Sequence, residues 1–140
     1  MMPQPGEARL YVLDSYAVLA WLEGERGGAL VSELLTRAHQ GRISLSMSVI
    51  SLGEVLYIIE REDSVRAAQI ALATIDSLPI SQVNAGRELT LNAARFKARY
   101  RMSYADCFGL ALAKTMGAAL VTGDPELRLQ NEVDLTWVGP

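Results

Sequence analysis

The sequence predicts an α/β fold, a three-layer α/β/α sandwich in which a short, mainly parallel, twisted sheet of four to five strands lies between helices. Short apolar runs such as RLYVL and AALV alternate with longer helical segments along the chain. Most of these runs are apolar throughout, which is typical of strands buried on both faces of a parallel sheet. A chain of 140 residues, half of them hydrophobic, fits one domain with a substantial core. We therefore expect a single domain over residues 1–140, with residues 1–8 as a flexible tail.

Five segments are expected to form the strands. They are residues 9–13, 43–46, 78–83, 118–121 and 135–138. The first contains Tyr11 and Val12, which favour β-structure. The last is expected at an edge of the sheet.

Helices are expected between these strands, where polar side chains or glycines can mark their ends. The first begins at Asp14-Ser15 and contains AVLAWL. The others are expected at residues 29–40, 48–61, 63–77, 84–100 and 103–117, with Ser48, Asp63, Asn84 and Ser103 at four of their starts and Gly41 and Gly117 at two of their ends. The segment EGERGG is expected to be a turn, and Pro125 is expected to open a short helical turn.

Composition and charge argue against several classes of protein. No apolar run approaches the roughly 18 residues that a membrane span needs. The N-terminal MMPQPGEARL lacks the basic start and apolar stretch of a signal peptide, so a cytoplasmic location is expected. The single cysteine, Cys107, excludes an internal disulfide and a cysteine-based zinc cluster. The net charge of −3 argues against broad electrostatic binding of nucleic acid.

Four carboxylates stand in or beside apolar runs that would otherwise carry no charge: Asp14, Glu54, Asp106 and Asp124. Asp14 and Asp124 each follow an expected strand, so both should lie at the carboxyl edge of the sheet, where such folds build their sites. Asp106, in the first turn of a helix that leads back into a strand, can open toward the same edge. Because gathered carboxylates repel one another, such a group favours a divalent cation with oxygen ligands. The sequence therefore predicts a metal site, with a phosphate ester as its natural substrate.

Asp14 and Glu54 also have structural explanations. Asp14 could cap the helix that follows it, although Ser15 could do so equally well and leave Asp14 free. Glu54 could belong to a narrow polar edge, shared with Ser51 and Arg61, on an otherwise buried helix. No Lys or Arg lies three or four residues from Glu54, and an unpaired buried charge is costly, so a metal ligand is the favoured interpretation.

Asp106 and Asp124 are ambiguous when each is taken alone. The segment SYAD at residues 103–106 has the spacing of a capping box, with Asp in place of the usual Glu. Asp124 precedes Pro125, an ordinary opening of a turn. The apolar run CFGLALA after Asp106 predicts a central helix with an enclosed first turn, and the joint pattern of the four acids is what favours a site.

These stretches resemble the PIN-domain ribonucleases, and among them the small VapC-type toxins of toxin–antitoxin pairs. The matching stretches are YVLDSYAVLAWL, SVISLGEVLYII and MSYADCFGLALAKTMGAALVTGD followed by PEL. Their order runs through nearly the whole chain. The resemblance implies a PIN-like sandwich, and it makes Asp14, Glu54, Asp106 and Asp124 a catalytic acidic quartet that holds Mg²⁺ or Mn²⁺.

The resemblance also implies an activity and partners. It implies a metal-dependent endoribonuclease that leaves a 5′-phosphate and a 3′-hydroxyl, and that acts as the toxin of a type II toxin–antitoxin system. The expected partners are RNA, a small VapB-like antitoxin that covers the site, and a second copy of the chain in a homodimer. The only histidine, His39, lies beside Gly41 late in a helix, where it suits the helix dipole better than acid–base catalysis through a 2′-hydroxyl.

Other polar residues are assigned smaller roles. The hydroxyls of Ser15 and Thr122 stand beside two of the acids and could orient water or a carboxylate. Glu126, two residues after Asp124, could assist the site, but exposure to solvent is the favoured expectation. A basic segment could contact RNA phosphates, or it could simply complement the dipole of a solvated helix end. It comprises Arg95, Lys97, Arg99 and Arg101, of which at most two share a helix face.

Three other interpretations compete with a metal-dependent nuclease. A phosphate-accepting receiver domain needs an acidic residue beside Asp14 and a lysine at the end of a late strand. Asp14 has no acidic neighbour, and Lys114 falls within a helix. A haloacid-dehalogenase-type phosphatase needs a second Asp two residues after Asp14, where this chain has Tyr16. A catalytically silent PIN-like module that binds RNA or protein is disfavoured by the intact quartet, and a measurement of activity decides it.

Overall fold

The computed structural model describes residues 9–140, and the tail expected at residues 1–8 lies outside them. In this part of the chain five strands form one sheet. They are β1 (Leu10–Leu13), β2 (Ser44–Ser48), β3 (Ile80–Val83), β4 (Ala119–Thr122) and β5 (Leu135–Trp137). Each strand begins and ends within two residues of the expected position.

Helices connect the strands. They are α1 (Ser15–Leu22), α2 (Gly28–His39), α3 (Val49–Glu62), α4 (Val65–Asp76), α5 (Arg87–Arg99) and α6 (Tyr104–Met116). A short 3-10 helix (Pro125–Leu129) opens with Pro125, as expected. Among residues 9–140, no helix combines the length and apolar character that a membrane span requires.

The sheet is entirely parallel in the described chain, with the order β3-β2-β1-β4-β5. The chain adds β2 and β3 on one side of β1 and then returns to add β4 and β5 on the other. This change of direction makes the carboxyl ends of β1 and β4 the switch point at which open α/β folds place their ligands. The two strands run in register there, with Leu13 beside Val121.

Two hydrophobic cores cover the two faces of the sheet, which confirms the three-layer sandwich. In β1, Leu13 packs into the core formed with α1–α4, whereas the neighbouring Val12 packs into the core formed with α5 and α6. Because successive side chains of a strand point to opposite faces, both must be apolar. The completely buried Leu120 plays the same part in β4 as Val12 does in β1.

Two expected helix starts are wrong. Ser64, not Asp63, caps α4 by accepting a hydrogen bond from the Ala67 N–H at 3.0 Å. Asp63 is the C-terminal cap of the preceding helix, α3. The next helix, α5, begins at Arg87, three residues after the expected Asn84. Residues 84–86 continue the exit from β3 in irregular conformation before the chain turns into the helix.

Candidate metal centre

The carboxyl edge of β1 and β4 brings together the elements that carry the four acids. Asp14 directly follows β1, and Asp124 comes two residues after Thr122, the last residue of β4. The Asp14 N–H donates to the Val121 carbonyl at 3.2 Å, so the two strand ends are joined at this point. Helix α6 packs against the same edge, since a Cβ atom at position 109 would lie in ordinary van der Waals contact, 3.8 Å from the Asp14 Cβ atom.

Asp14 is both a helix cap and a source of one free oxygen. Its Oδ1 atom accepts a hydrogen bond from the Ala17 N–H at 2.9 Å, so Asp14 caps α1 and the expectation that Ser15 would leave it free is wrong. A carboxylate has two oxygens, however, and Oδ2 is buried without a hydrogen-bond partner in the described chain. Ser15 instead donates its hydroxyl to Oε1 of Glu54, which ties α1 to α3.

Asp106, like Asp14, has a fixed backbone position and one carboxylate oxygen without a hydrogen-bond partner in the described chain. Ser103 caps α6 by accepting a hydrogen bond from the Asp106 N–H at 3.1 Å, as the capping-box spacing predicted. The Asp106 side chain is 6% exposed, and its Oδ2 atom has no hydrogen-bond partner among residues 9–140. The cap fixes the backbone, and the carboxylate stays available to a ligand.

Asp124 is held from both sides by short-range hydrogen bonds. Its N–H donates to the Thr122 hydroxyl at 3.1 Å, and its Oδ1 atom accepts from the Glu126 N–H at 2.9 Å. The carboxylates of Asp106, Asp124 and Glu126 each offer an oxygen within 4.8 Å of the others, a spacing at which one cation can contact all three.

Glu126 is exposed, as expected, and it also belongs to this close group, the less favoured of the two roles that the sequence allowed it. The available signal was its position two residues after Asp124 at the start of a 3-10 helix. Glu54 and Asp14 stand outside the close group, but their charges act on it.

Burial and mutual repulsion raise the pKa values of two of these acids. Burial is the largest cause for Asp14 and raises its pKa to about 7, although the Thr122 hydroxyl and the Ala17 N–H partly oppose the shift. Burial also comes first for Asp106 and raises its pKa to about 8, and the neighbouring carboxylate of Asp124 raises it further. Near neutral pH these carboxyls therefore hold protons unless a cation replaces them.

No described basic residue neutralises the quartet by an ion pair. The ion pairs among residues 9–140 are formed by Glu132, with Arg99 and Lys114. Two buried carboxylate oxygens without partners, in an all-oxygen set of donors, match what a hard divalent cation such as Mg²⁺ or Mn²⁺ requires. The residues present therefore fit such a metal ion.

Residues of the basic segment 95–101 form contacts within the fold and also line a cavity. Arg99 forms an ion pair with Glu132 at 3.4 Å, and the Lys97 ammonium donates to the Met102 carbonyl at 2.8 Å. Arg95 and Arg99 line a cavity of about 340 Å³ together with Lys114. Lys114 lies eight residues after Asp106 on α6, which is about 12 Å along the helix axis. RNA contact by this segment remains a prediction, and Arg99 is directed toward the end of α6 remote from the acids.

Solved structures with the same fold belong to toxin–antitoxin proteins. VapBC2 from Rickettsia felis, bound to a DNA fragment from its promoter, matches with a TM-score of 0.70 and 17% identity, over 91% of this chain and 97% of that one. VapC20 from Mycobacterium tuberculosis, described as a toxin that cleaves the sarcin–ricin loop, matches with a TM-score of 0.67 and 17% identity, over 89% of this chain and 98% of that one. DNA-bound VapBC from Salmonella typhimurium matches with a TM-score of 0.70 and 14% identity, over 91% of this chain and 97% of that one.

Comparison by sequence identifies the family. No curated protein shows significant sequence similarity to the chain. The sequence model of the PIN domain, by contrast, matches residues 11–132, which include all four acids of the predicted quartet. The chain therefore belongs to the PIN domain family.

Proposed function

We propose that this protein is a Mg²⁺- or Mn²⁺-dependent endoribonuclease and the toxin component of a type II toxin–antitoxin system. The observation that carries the proposal is the pair of buried carboxylate oxygens without partners, Asp14 Oδ2 and Asp106 Oδ2, at the switch point of the sheet. Leaving such atoms unsatisfied destabilises the fold, which indicates a ligand that supplies the missing interaction. The fold shared with VapC structures supports the same proposal.

Asp14, Asp106 and Asp124 would hold the metal, with Glu54 completing the quartet. Glu126 is added as a further donor because its carboxylate lies with those of Asp106 and Asp124. When bound, a divalent ion lowers the pKa of water and stabilises the charge that develops on a phosphodiester under attack.

The chain's own residues orient these groups. The Ser15 hydroxyl donates to Glu54, which fixes the rotamer of a carboxylate on a different helix. The Thr122 hydroxyl receives the Asp124 N–H at 3.1 Å and also lowers the pKa of Asp14. Positioning of this kind matters because a displacement of about 1 Å at a reacting centre can reduce the rate about 10²-fold.

A hydrolytic route that leaves a 5′-phosphate and a 3′-hydroxyl suits this chain better than attack by a 2′-hydroxyl. The latter route needs an acid–base pair, which histidine commonly supplies. His39, the only histidine in the sequence, is the last residue of α2 and leads into the amino end of β2, whereas Asp14 and Asp124 follow the carboxyl ends of β1 and β4.

A groove between α1, α3 and α4 is the candidate docking surface for a small antitoxin. Its cavity of about 520 Å³ is lined by Trp21, Ile59 and Ile70, and Ile70 is 57% exposed. Glu62 and Asp63 stand at its rim. This surface would accept an apolar segment that carries basic residues, and the VapBC complexes among the structural neighbours support a VapB-like partner. A homodimer is proposed on the resemblance alone.

The test is cleavage of total RNA with Mg²⁺ or Mn²⁺, with and without a chelator, by the wild type, Asp14→Asn and Asp106→Asn. We expect the wild type to cut only when metal is present, and both variants to be inactive because each removes an anionic ligand. Equal cleavage by all three proteins would contradict the assignment of the site. If no RNA is cut under any metal condition, the result favours the alternative function, a silent PIN-like module that binds RNA or protein.

A further inference from the structure

The turn that carries Asp124 is in close contact with an aromatic ring and with another backbone segment. Gly123 is buried between Thr122 and Asp124. A Cβ atom added to Gly123 would lie 2.5 Å from Cζ and 2.6 Å from Cδ1 of Tyr16, so only glycine allows the ring to sit flat on this backbone. Tyr16 belongs to the first turn of α1, two residues after Asp14.

The backbone of residues 138–140 also contacts the turn. A Cβ atom added to Gly139 would lie 2.8 Å from the Gly123 carbonyl oxygen and 3.0 Å from the Gly123 Cα atom. The Val138 N–H donates to the Thr122 carbonyl at 2.9 Å. The turn is therefore in contact both with the Tyr16 ring and with the backbone after β5.

A third contact fixes the segment that follows Asp124. The Arg128 guanidinium lies 3.6 Å from the centre of the Trp137 ring, which anchors the 3-10 helix to β5. The indole N–H of Trp137 donates to the Pro140 carbonyl at 3.2 Å, so the same ring also holds the backbone beyond Gly139. Asp124 is thus held in place although its own side chain is only half-buried.

The turn that carries Asp124 needs to be held in place because the carboxylates of the site repel one another. Asp124 acts on Asp106 and Asp14 by repulsion, and an unconfined turn at the protein surface could relieve this repulsion by moving outward. A metal site made of separated chain segments binds well only when its ligands are already held together.

We infer that Tyr16 is a positioning residue, whose ring, packed against Gly123 together with the backbone at Gly139, holds Asp124 beside Asp106 for metal binding. This inference rests on the proposed metal-dependent function. It assigns a role to a side chain that lies outside the acidic quartet. Gly123 is required because any larger residue would displace the ring or the turn.

A size-compensation experiment tests the inference. We would measure Mn²⁺ affinity by calorimetry, and kcat and KM for RNA cleavage, in Gly123→Ala, Tyr16→Ala and the double variant. Gly123→Ala is expected to lower Mn²⁺ affinity and kcat by about 10²-fold, with KM for RNA little changed. In the double variant the new methyl group enters the space that the ring leaves, so about tenfold of the loss is recovered.

Gly86→Ala is the matched control, because a Cβ atom at Gly86 meets nothing within 4 Å and the residue lies at the start of α5. It is expected to bind Mn²⁺ and cleave RNA as the wild type does. Wild-type affinity and kcat in Gly123→Ala or in Tyr16→Ala would overturn the inference, and so would equal losses in Gly123→Ala and the double variant. Thermal unfolding of each variant shows that the losses occur in folded protein.

A measurement that needs no metal separates this inference from the proposed function. Hydrogen exchange of the Asp124 N–H, which donates to Thr122, reports how firmly the turn is held. We expect faster exchange in Gly123→Ala and slower exchange again in the double variant. If the wild type neither binds Mn²⁺ nor cuts RNA, the proposed function fails and the exchange rates still decide the inference. Unchanged exchange in Gly123→Ala would overturn it.

Discussion

Glu132, near the C-terminal end of α6, and Asp106, in its first turn, are carboxylates in opposite surroundings. Glu132 accepts hydrogen bonds from Lys114 at 2.5 Å and from the Tyr100 hydroxyl at 2.9 Å, and these contacts hold its pKa below the usual value. Asp106 has a buried oxygen without a partner and acidic neighbours, and its pKa rises to about 8. The same fold thus neutralises one acid from within and leaves the other unneutralised.

This difference shows what the quartet lacks. A side-chain cation within the fold would repel a metal ion and occupy the oxygens that the ion needs. The protein supplies such cations to Glu132, where the ion pairs join α5 and α6 to the segment before β5. At the switch point it supplies hydroxyls and N–H groups instead, which orient carboxylates without neutralising them. The charge of the quartet is therefore neutralised by bound protons or, on the proposed function, by a metal ion.

The largest expected effect comes from giving the quartet an internal cation. Glu126→Lys places an ammonium group beside Asp106 and Asp124, much as Lys114 stands beside Glu132. Two unit charges about 4 Å apart near a protein surface interact by about 4 kcal/mol, so Mn²⁺ affinity and RNA cleavage should each fall by at least about 10²-fold. Glu88→Lys, which makes the same charge change on an exposed residue of α5, is the control and should behave as the wild type. Unimpaired Mn²⁺ binding by Glu126→Lys would show that this end of the sheet is not the metal site.

The pH dependence of stability should reflect the raised pKa values. Between pH 3.8, the ordinary pKa of an Asp carboxyl, and about 7 to 8, the folded protein without metal binds more protons at Asp14 and Asp106 than the unfolded chain does. The free energy of unfolding must therefore fall as pH rises through this window, by up to about 1.4 kcal/mol per pH unit for each carboxyl. Asp106→Asn should remove its share of the slope.

Urea unfolding in the presence of a chelator, from pH 4 to pH 8, measures this slope. Glu132→Gln is the variant to compare with Asp106→Asn, because the fold lowers the pKa of Glu132. Its ionised carboxylate stabilises the fold at higher pH, and this contribution to the free energy of unfolding is lost as the pH falls. A wild-type protein whose unfolding free energy rises steadily from pH 4 to pH 8 would contradict the raised pKa values of the quartet.

The fold and most of the quartet's placement could be predicted from the sequence because local patterns decide them. Uninterrupted apolar runs marked the buried strands, and strand-end positions placed Asp14 and Asp124 at one edge. Competition among neighbouring polar groups was harder to predict. Ser15 and Asp14 can both cap a helix, and only the packing of α1 against α3 directs the Ser15 hydroxyl to Glu54.

Contacts between distant segments lay beyond sequence reasoning for a different reason. The charge of Arg99 suited either contact with RNA or the dipole of a helix end, but its ion pair depends on where Glu132 returns to the sheet, thirty-three residues later. The packing of the Tyr16 ring against Gly123 likewise depends on the register of β1 and β4. Neither contact leaves a periodic pattern in the sequence.

The smallest expected effect comes from removing the charge of Glu132, which forms ion pairs with Arg99 and Lys114. Glu132→Gln should lower the free energy of unfolding at neutral pH by less than about 1 kcal/mol, because its partners Arg99 and Lys114 are half exposed. Mn²⁺ affinity should not change, since Glu132 lies near the end of α6 remote from Asp106. Chemical unfolding and calorimetry check the two statements, and a marked loss of Mn²⁺ affinity would show that the two ends are coupled.

Proton release on metal binding tests the central claim most directly. Mn²⁺ binding measured by calorimetry at pH 7, in two buffers of different ionisation enthalpy, counts the protons that the ion displaces. Because the pKa values of Asp14 and Asp106 lie at about 7 and about 8, the wild type should release protons as it binds, and Asp106→Asn should release fewer and bind more weakly. Binding without proton release, or with equal release by Asp106→Asn, would contradict a metal centre built on these two carboxylates.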